Sequence, residues 1–453
     1  MEENAIISGP VSRSFKPYPS YKDSGVKWLG KIPAHWGLKR LKRIVEFRGG
    51  GTPSKDNLDY WSGDIPWVSP KDMKVSVVVD TEEKITPQAV CESATKLVPP
   101  GAVLLVVRSG ILIHSIPAAL SGREVTLNQD LKALIPRSAL LPEYLLFLIS
   151  GMQTELLAEW KKEGATVESL EMDLIAQTQT PLPGEGEQRA IAAFLDHETA
   201  KIDALIAKNE RLIELLQEKR TALITQAVSK GLDPNVPMKD SGVEWLDKIP
   251  AHWEVKRLKC LSSVNDETLS EKTDPLFELV YVDIGGVDQN RGIVKREEHI
   301  FEKAPSRARR IVKDGDIIIS TVRTYLRAIA PIQNPEPNLI CSTGFAVVRP
   351  SSGLQSEFAA YALRAVYFVE QVVANSVGVS YPAIDAGKMS GFTLPIPDVE
   401  DQRAIAAFLN RETAKIDDLI AKIQVAIERL KEYRTATISA AVTGKIDVRG
   451  TIA

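Results

Sequence analysis

Cysteine is nearly absent: 453 residues contain three, Cys91, Cys260 and Cys341. They are far apart and no two share a C-x-x-C spacing, which argues against a disulfide framework and against a zinc site, and fits a reducing cytoplasm. The five histidines are scattered. No apolar run approaches the roughly 18 residues of a membrane span, so no membrane association is expected. The first twenty residues, MEENAIISGPVSRSFKPYPS, lack the basic-then-apolar order of a signal peptide. No GxxxxGK[ST] phosphate loop occurs, and Gly49, Gly50 and Gly51 precede Thr52-Pro53 without opening a helix, a poor nucleotide loop. A basic excess is missing as well: the formal net charge is −3, awkward for a free-standing DNA binder. What remains is ordinary globular composition, 44% apolar and 25% charged, long enough for two or three domains.

The informative feature is an internal repeat. KDSGVKWLGKIPAHWGLKRLK at 22–42 returns as KDSGVEWLDKIPAHWEVKRLK at 239–259, with four differences in twenty-one positions. QRAIAAFLDHETAKIDALIAK from Gln188 returns as QRAIAAFLNRETAKIDDLIAK from Gln402. Lys22 to Lys239 is 217 residues and Gln188 to Gln402 is 214, so one unit of about 215 residues is used twice. A period that long is a duplicated domain pair, since solenoid repeats stop near roughly 50 residues. Between the matched blocks, 43–180 and 260–394 are similar in length and share no run of identity. The matched parts answer a shared structural demand. The middles do different jobs of one kind.

The C-terminal block of each unit reads as a long helix. Ile191, Leu195, Ile202, Leu205, Leu212, Leu216 and Leu223, and in the second copy Ile405, Leu409, Ile416, Leu419, Ile423, Ile427, Leu430 and Ile438, follow heptad steps. A Pro-x-Pro turn precedes each, Pro181-Leu182-Pro183 and Pro395-Ile396-Pro397. Seven basic and seven acidic residues cancel in 187–230, which suits a spacer and docking surface better than a phosphate-binding one. If the halves are related by an approximate two-fold axis, the helices run antiparallel. The expected fold is α+β: two globular α/β domains separated by two long antiparallel coiled-coil helices. The expected boundaries are an N-terminal tail at 1–16, globular domains at 17–186 and 233–399, and helices at 187–232 and at 400–453, the latter with a C-terminal tail.

The middles read as mixed α/β, with β-branched runs at 97–110 and 311–326 that each end near a basic residue, Arg108 and Arg323. Pro142 to Trp160 and Glu357 to Ala374 read as amphipathic helices. Residues 303–327 hold seven basic side chains, including Arg307, Arg309, Arg310, Arg323 and Arg327, against Asp314 and Asp316, with Tyr325 among them. Such a mixture serves phosphate contact and base-edge readout, or is a solvated face. Arg48, Thr52, Ser54, Lys55, Tyr60 and Trp61 fall in a Gly-rich polar stretch able to approach a DNA groove, and Ser380 and Tyr381 lie in a second such loop after Gly378. Tyr60, Trp61 and Tyr325 are equally read as core packing. His35 and His252, beside Trp36 and Trp253, are read as structural.

The order YKDSGVxWLGxIPxHW, variable domain, Pro-x-Pro turn, EQRAIAAFLDxETAKIDxLI, then all repeated, closely resembles the specificity subunits of type I restriction–modification systems. GGTPS–YWSGDIPWVS, NQDLKAL, SRARRIVKDGDIIISTVR and CSTGFAVVRP look like phrases of the same family. The resemblance spans nearly the whole chain. It implies two target recognition domains, each reading one part of an asymmetric bipartite site in double-stranded DNA, and helices that set the gap and bind two modification subunits. It places S-adenosylmethionine on those modification subunits, and ATP and Mg with restriction subunits that translocate and cleave DNA. No cofactor, metal or catalytic residue is expected in this chain. An amino-methyltransferase needs an Asn/Asp-Pro-Pro-aromatic loop, and Asn334-Pro335-Glu336-Pro337 does not match. The alternatives are the specificity subunit of a related system that cuts on both sides of its site, and a non-DNA coiled-coil adaptor.

Overall fold

The computed structural model describes residues 15–162 and 167–451, so the expected tail at 1–16 lies outside them except for Phe15 and Lys16. The chain forms two compact units, residues 1–208 with 425–453, and residues 209–424. Two long helices, α1 (Glu185–Lys230) and α2 (Val399–Val442), supply both. Unit 1 takes the start of α1 and the end of α2, and unit 2 takes the end of α1 and the start of α2.

Within each unit the helices meet head to tail. In unit 1, Ile191, Phe194 and Leu195 share a core with Ile438, Ala441 and Val442. In unit 2, Ile224, Ala227 and Val228 share one with Ile405 and Leu409. Equivalent ion pairs bind the helices, Asp203 to Arg434 at 2.9 Å in unit 1 and Asp417 to Arg220 at 3.0 Å in unit 2. The heptad expectation holds at the ends of α1 and fails in its middle: Leu205 and Leu212 are 43% and 42% exposed. Leu419 of α2 is likewise open, whereas Ile416, Ile423 and Ile427 are buried.

The matched blocks fold alike because the same residues close the same turns. Tyr21–Asp23 pairs Lys31–Pro33, and Met238–Val243 pairs Leu246–Pro250. Gly25 and Gly242, both at positive φ, are held by Asp23 and Asp240 through 2.8 Å backbone N–H bonds. Trp36 and Trp253 are fully buried, each against the left-handed glycine that ends a long helix, Gly444 and Gly231. A Cβ on Gly444 would lie 2.3 Å from Pro33 Cδ, so only glycine fits. His35 and His252 reach the first turns of α1 and α2, at 3.0 Å from Glu187 and 3.2 Å from Asp401.

Gln188 and Gln402 explain why the EQRAIAAFL phrase recurs. Both are fully buried. The Gln188 amide oxygen accepts from Leu141 N at 2.8 Å while its nitrogen donates to Ala139 O and Pro183 O at 3.0 and 2.9 Å. Gln402 repeats this with Gln355 N, Gly353 O and Pro397 O at 2.8, 3.1 and 3.0 Å. Gln188→Ala should therefore destabilise the protein by roughly 1–3 kcal/mol for each group left unsatisfied, and Gln402→Ala by a similar amount. Denaturant unfolding of both variants measures this. A loss below about 0.5 kcal/mol in both would show that these amides do not tie the domains to the helices.

Each middle enters and leaves through one antiparallel ladder, 37–40 with 179–182 in unit 1 and 254–257 with 393–396 in unit 2. Unit 1 then carries a five-stranded sheet ordered 45–49, 131–136, 103–106, 118–121 and 77–78, and a three-stranded sheet ordered 126–127, 65–68 and 84–85. Unit 2 carries two four-stranded sheets, 262–264, 345–350, 317–320, 329–331 and 297–300, 278–282, 339–342, 308–311. The β-branched runs become central strands: Val103–Val106 and Ile317–Ser320 are buried throughout. The expected middle helices are each broken in two, Pro142–Gly151 then Gln153–Trp160, and Ser356–Ala362 then Val366–Ala374. At the first break Gly151 lies against α2, where an added Cβ would meet Ile438 at 2.7 Å. At the second, Val366 N donates to Thr225 of α1 at 3.1 Å. A long helix thus lies against each break.

Candidate nucleic-acid interface

In unit 2 the structure sorts the basic segment. Arg327 is tied to Glu370 at 2.8 Å, Lys313 to Glu267, and Arg309 lies over Phe301, 4.6 Å from the ring centroid. Arg310 is half-buried in the strand Ala308–Ile311 with its Nε enclosed. Asp316 is buried and holds Arg349 through two bonds of 2.9 Å, so it does not offset the surface charge. Arg307 and Arg323 make no ion pair among the described residues, and both line one cavity of about 450 Å³ with Tyr381, Tyr281, Asp283 and Ser342.

Local backbone fixes this arrangement. Arg323 caps the short turn Thr324–Leu326 in the left-handed conformation, φ 52°, and Arg327 ends it at φ 49°. A non-glycine residue there is strained, and such strain clusters at functional sites. The turn is anchored from behind: Thr324 Oγ1 lies 2.8 Å from Ser376 Oγ, and Val322 bridges Ala383. That bridge brings the loop 377–381 alongside, with Gly378 at φ 114°. The Arg323 guanidinium then stacks on Tyr381, 4.9 Å from the ring centroid, although Tyr381 stays 66% exposed. Tyr325, Ser380 and Val379 are exposed beside it. Tyr325 is thus not core. Tyr281, Asp283 and Ser342 were missed by sequence reasoning. They come from strand ends distant in sequence, and a lone Tyr or Asp gives no signal. Burial pushes the Tyr281 hydroxyl above its ordinary range.

Unit 1 differs at the same place in the fold. Val107 N bonds Asp130 O and Arg108 bridges Ser169, as Thr321 N bonds Gly344 O and Val322 bridges Ala383. Arg108 is therefore the counterpart of Val322, and Ser109 that of Arg323. The two arginines that look parallel in sequence are one residue out of register, and one residue turns a side chain to the other face. Arg108 pairs with Asp130 at 2.8 Å, so its charge is offset. The Gly-rich stretch packs more than the sequence suggested. A Cβ on Gly50 would overlap Asn128 O. Arg48 bonds Leu97 O at 2.6 Å and Glu46, Thr52 bonds Gln129, and Tyr60 bonds Glu92. Tyr60 and Trp61 pack against a small core of Trp67, Ile85 and Ala89. Lys55 sits over Trp61 and Trp67 at 5.2 and 5.8 Å, with Glu83 at 3.4 Å. Ser54 is exposed, its carbonyl accepting from Trp61 Nε1 at 3.1 Å. Ile111 and Ile113, following Arg108, stand 47% and 58% exposed and were also missed.

Among the described residues no group of three or more His, Cys, Asp or Glu side chains is placed to hold a metal ion, and no helix is long and apolar enough to cross a membrane.

The type I restriction modification DNA specificity domain model matches the chain twice, at 33–215 and 250–429. The type I restriction enzyme EcoR124I/EcoR124II specificity subunit of Escherichia coli is 37% identical over 201 residues, 44% of this chain and 47% of that protein. The MjaIX specificity subunit of Methanocaldococcus jannaschii is 31% identical over 260 residues, 55% of this chain and 57% of that protein. These two matches span about half the length of each relative. The putative MjaX specificity subunit of the same organism is 23% identical over 452 residues, 95% of this chain and 98% of that protein. In fold, a chain from a structure on complex assembly and conformational transition of the type I R-M system superposes with TM-score 0.68 at 16% identity, covering 92% of this chain and 99% of that one. The HsdS subunit from Thermoanaerobacter tengcongensis gives 0.51 at 17%, covering 94% and 100%. With the family domain present in both units, the chain belongs to the type I restriction–modification DNA specificity family.

Proposed function

We propose that this chain is the DNA sequence-recognition subunit of a type I restriction–modification complex, each unit reading one half of an asymmetric bipartite site in double-stranded DNA. The observation that carries the reading is the contrast at one strand end. Unit 2 offers two unpaired arginines and a stacked tyrosine, whereas unit 1 offers a neutralised Arg108–Asp130 pair flanked by apolar residues. One fold carrying two chemistries suits two different half-sites. Arg307 serves phosphate and Arg323 a base edge. From unit 1, Arg108, Lys55, Ser54 and Thr52 are the contacts put forward. Arg48 and Tyr60, and in unit 2 Arg309, Arg310 and Arg327, hold the domains in shape.

In this reading α1 and α2 set the gap between half-sites, and their open apolar side chains, Leu205, Leu212 and Leu419, face two modification subunits. Those subunits supply S-adenosylmethionine and adenine methylation. Restriction subunits supply ATP- and Mg-dependent translocation and cleavage. The chain itself carries out no catalysis and works in the cytoplasm. Its mild net negative charge fits a subunit whose partners share the neutralisation of DNA. Methylome sequencing of a host expressing the chain with its cognate modification subunit tests this. The expected result is one adenine-methylated motif, split by a fixed gap, with unlike halves. A continuous motif, or none in a host making both proteins, rejects the reading.

A further inference from the structure

Unit 2 holds a further cation outside the cavity that Arg307 and Arg323 line. Arg364 lies between the helices Ser356–Ala362 and Val366–Ala374. Its Nε is buried with no hydrogen-bond partner. No carboxylate pairs with it among the described residues, and the Tyr361 ring lies 6.0 Å from guanidinium carbon to ring centroid. Two cavities meet at Arg364 and Asn290. The larger, about 230 Å³, is also lined by Arg291 and Arg296, and the smaller, about 80 Å³, by Arg220 and Arg327.

Each of those four arginines has its own carboxylate: Arg220 with Asp417 at 3.0 Å, Arg291 with Asp288 at 3.8 Å, Arg296 with Glu336 at 2.6 Å and Arg327 with Glu370 at 2.8 Å. Arg364 alone has none. Enclosing a guanidinium beside other cations costs stability unless an anion joins it. Burial, with the Arg220 charge added, pushes Arg364 down to about 10, and the opposing pull of Asp417, which is paired with Arg220, and of Tyr361 does not make up for it. The feature is private to unit 2. Gln188 and Gln402 hold Leu141 and Gln355 in matching places, and the same distance onward unit 1 has Ser150 where unit 2 has Arg364.

We propose that Arg364, with Asn290 beside it in both cavities, forms an anion site that takes a phosphate group. A planar guanidinium with free donors matches a tetrahedral oxyanion, and the surrounding arginines are already committed to their own carboxylates. The phosphate comes either from solution or from the DNA backbone.

The test uses the full chain and two variants, Arg364→Ser, which installs the residue of unit 1, and Arg364→Gln, which keeps more of the stem. Thermal melting is followed while inorganic phosphate replaces chloride at constant ionic strength. In parallel, DNA affinity is measured across salt concentrations. A saturable rise in Tm for the wild type, absent in both variants, is the result expected for a solution anion. A salt slope lower by about one unit in both variants is the result expected for a backbone phosphate. Either supports the site, and only the second arm rests on DNA reading, so failure of that reading leaves the melting arm intact. In phosphate-free buffer without DNA the variants should melt no lower than the wild type, because they no longer enclose an unpaired cation. Three results overturn the site: no phosphate response together with an unchanged salt slope, a phosphate response equal in wild type and variants, or both variants melting well below wild type without phosphate.

Discussion

Replacing Leu41–Thr178 by Leu258–Phe392 should give a chain that reads the half-site of unit 2 twice. The junctions are equivalent: Leu41 N bonds Thr178 O at the root of the first middle, and Leu258 N bonds Phe392 O at the root of the second. Each middle leaves its ladder where it entered, so the exchange asks for no new chain path. The middles also meet the long helices through equivalent contacts, Gln188 with Leu141 and Gln402 with Gln355. Paired with its modification subunit, the exchanged chain should methylate a site whose one half is lost and replaced by a copy of the other. Circular dichroism and the melting transition check that the variant folds. A folded, active chain that changed both halves, or neither, would sink the assignment of one half-site to each unit.

Arg323→Ala should relax recognition at one base position in the half-site of unit 2. A lost bidentate base contact costs about 1–3 kcal/mol, roughly 5- to 150-fold in discrimination at that position. Left-handed Arg323 is pre-aimed by its strained turn and by the Tyr381 ring, so Tyr381→Ala should lose part of the same discrimination. Arg307→Ala should behave differently, weakening binding to all sequences and lowering the salt slope by about one unit. Arg327→Ala, with its side chain already committed to Glu370, is the control and should change discrimination little. Binding by the assembled methyltransferase to cognate and singly substituted sites at several salt concentrations separates these outcomes. Equal discrimination by the Arg323→Ala variant and wild type would remove this surface from base readout.

Much of the fold was legible in the sequence, and the reason is chemical repetition. Identical turn residues, Asp23-Ser24-Gly25 and Asp240-Ser241-Gly242, close identical hairpins, because a left-handed glycine and an Asx bond leave few other shapes. The uninterrupted apolar spacing after each Pro-x-Pro turn announced α1 and α2 to within two residues of their starts. The β-branched runs announced the central strands. The heptad count, however, did not say which of its leucines are covered. Leu205 and Leu212 keep the period and stay open, since periodicity reports a helix face and not what lies against it.

Sequence alone determined the duplication, the two long helices and the family, since local propensity and exact repetition are properties of the chain itself. Tertiary structure alone decided which charges are free. Seven basic residues at 303–327 look equivalent on paper. Only tertiary packing gives Arg327 its Glu370 on a helix, Arg309 its Phe301, and leaves Arg307 and Arg323 facing one cavity. The same holds for Arg108, which pairs with Asp130 across neighbouring strand ends and proves to be the counterpart of Val322. It holds for Gln188, whose three bonds join segments far apart in the chain. Charge pairing and hydrogen bonding act over a few ångströms in space, and sequence separation carries no measure of that distance.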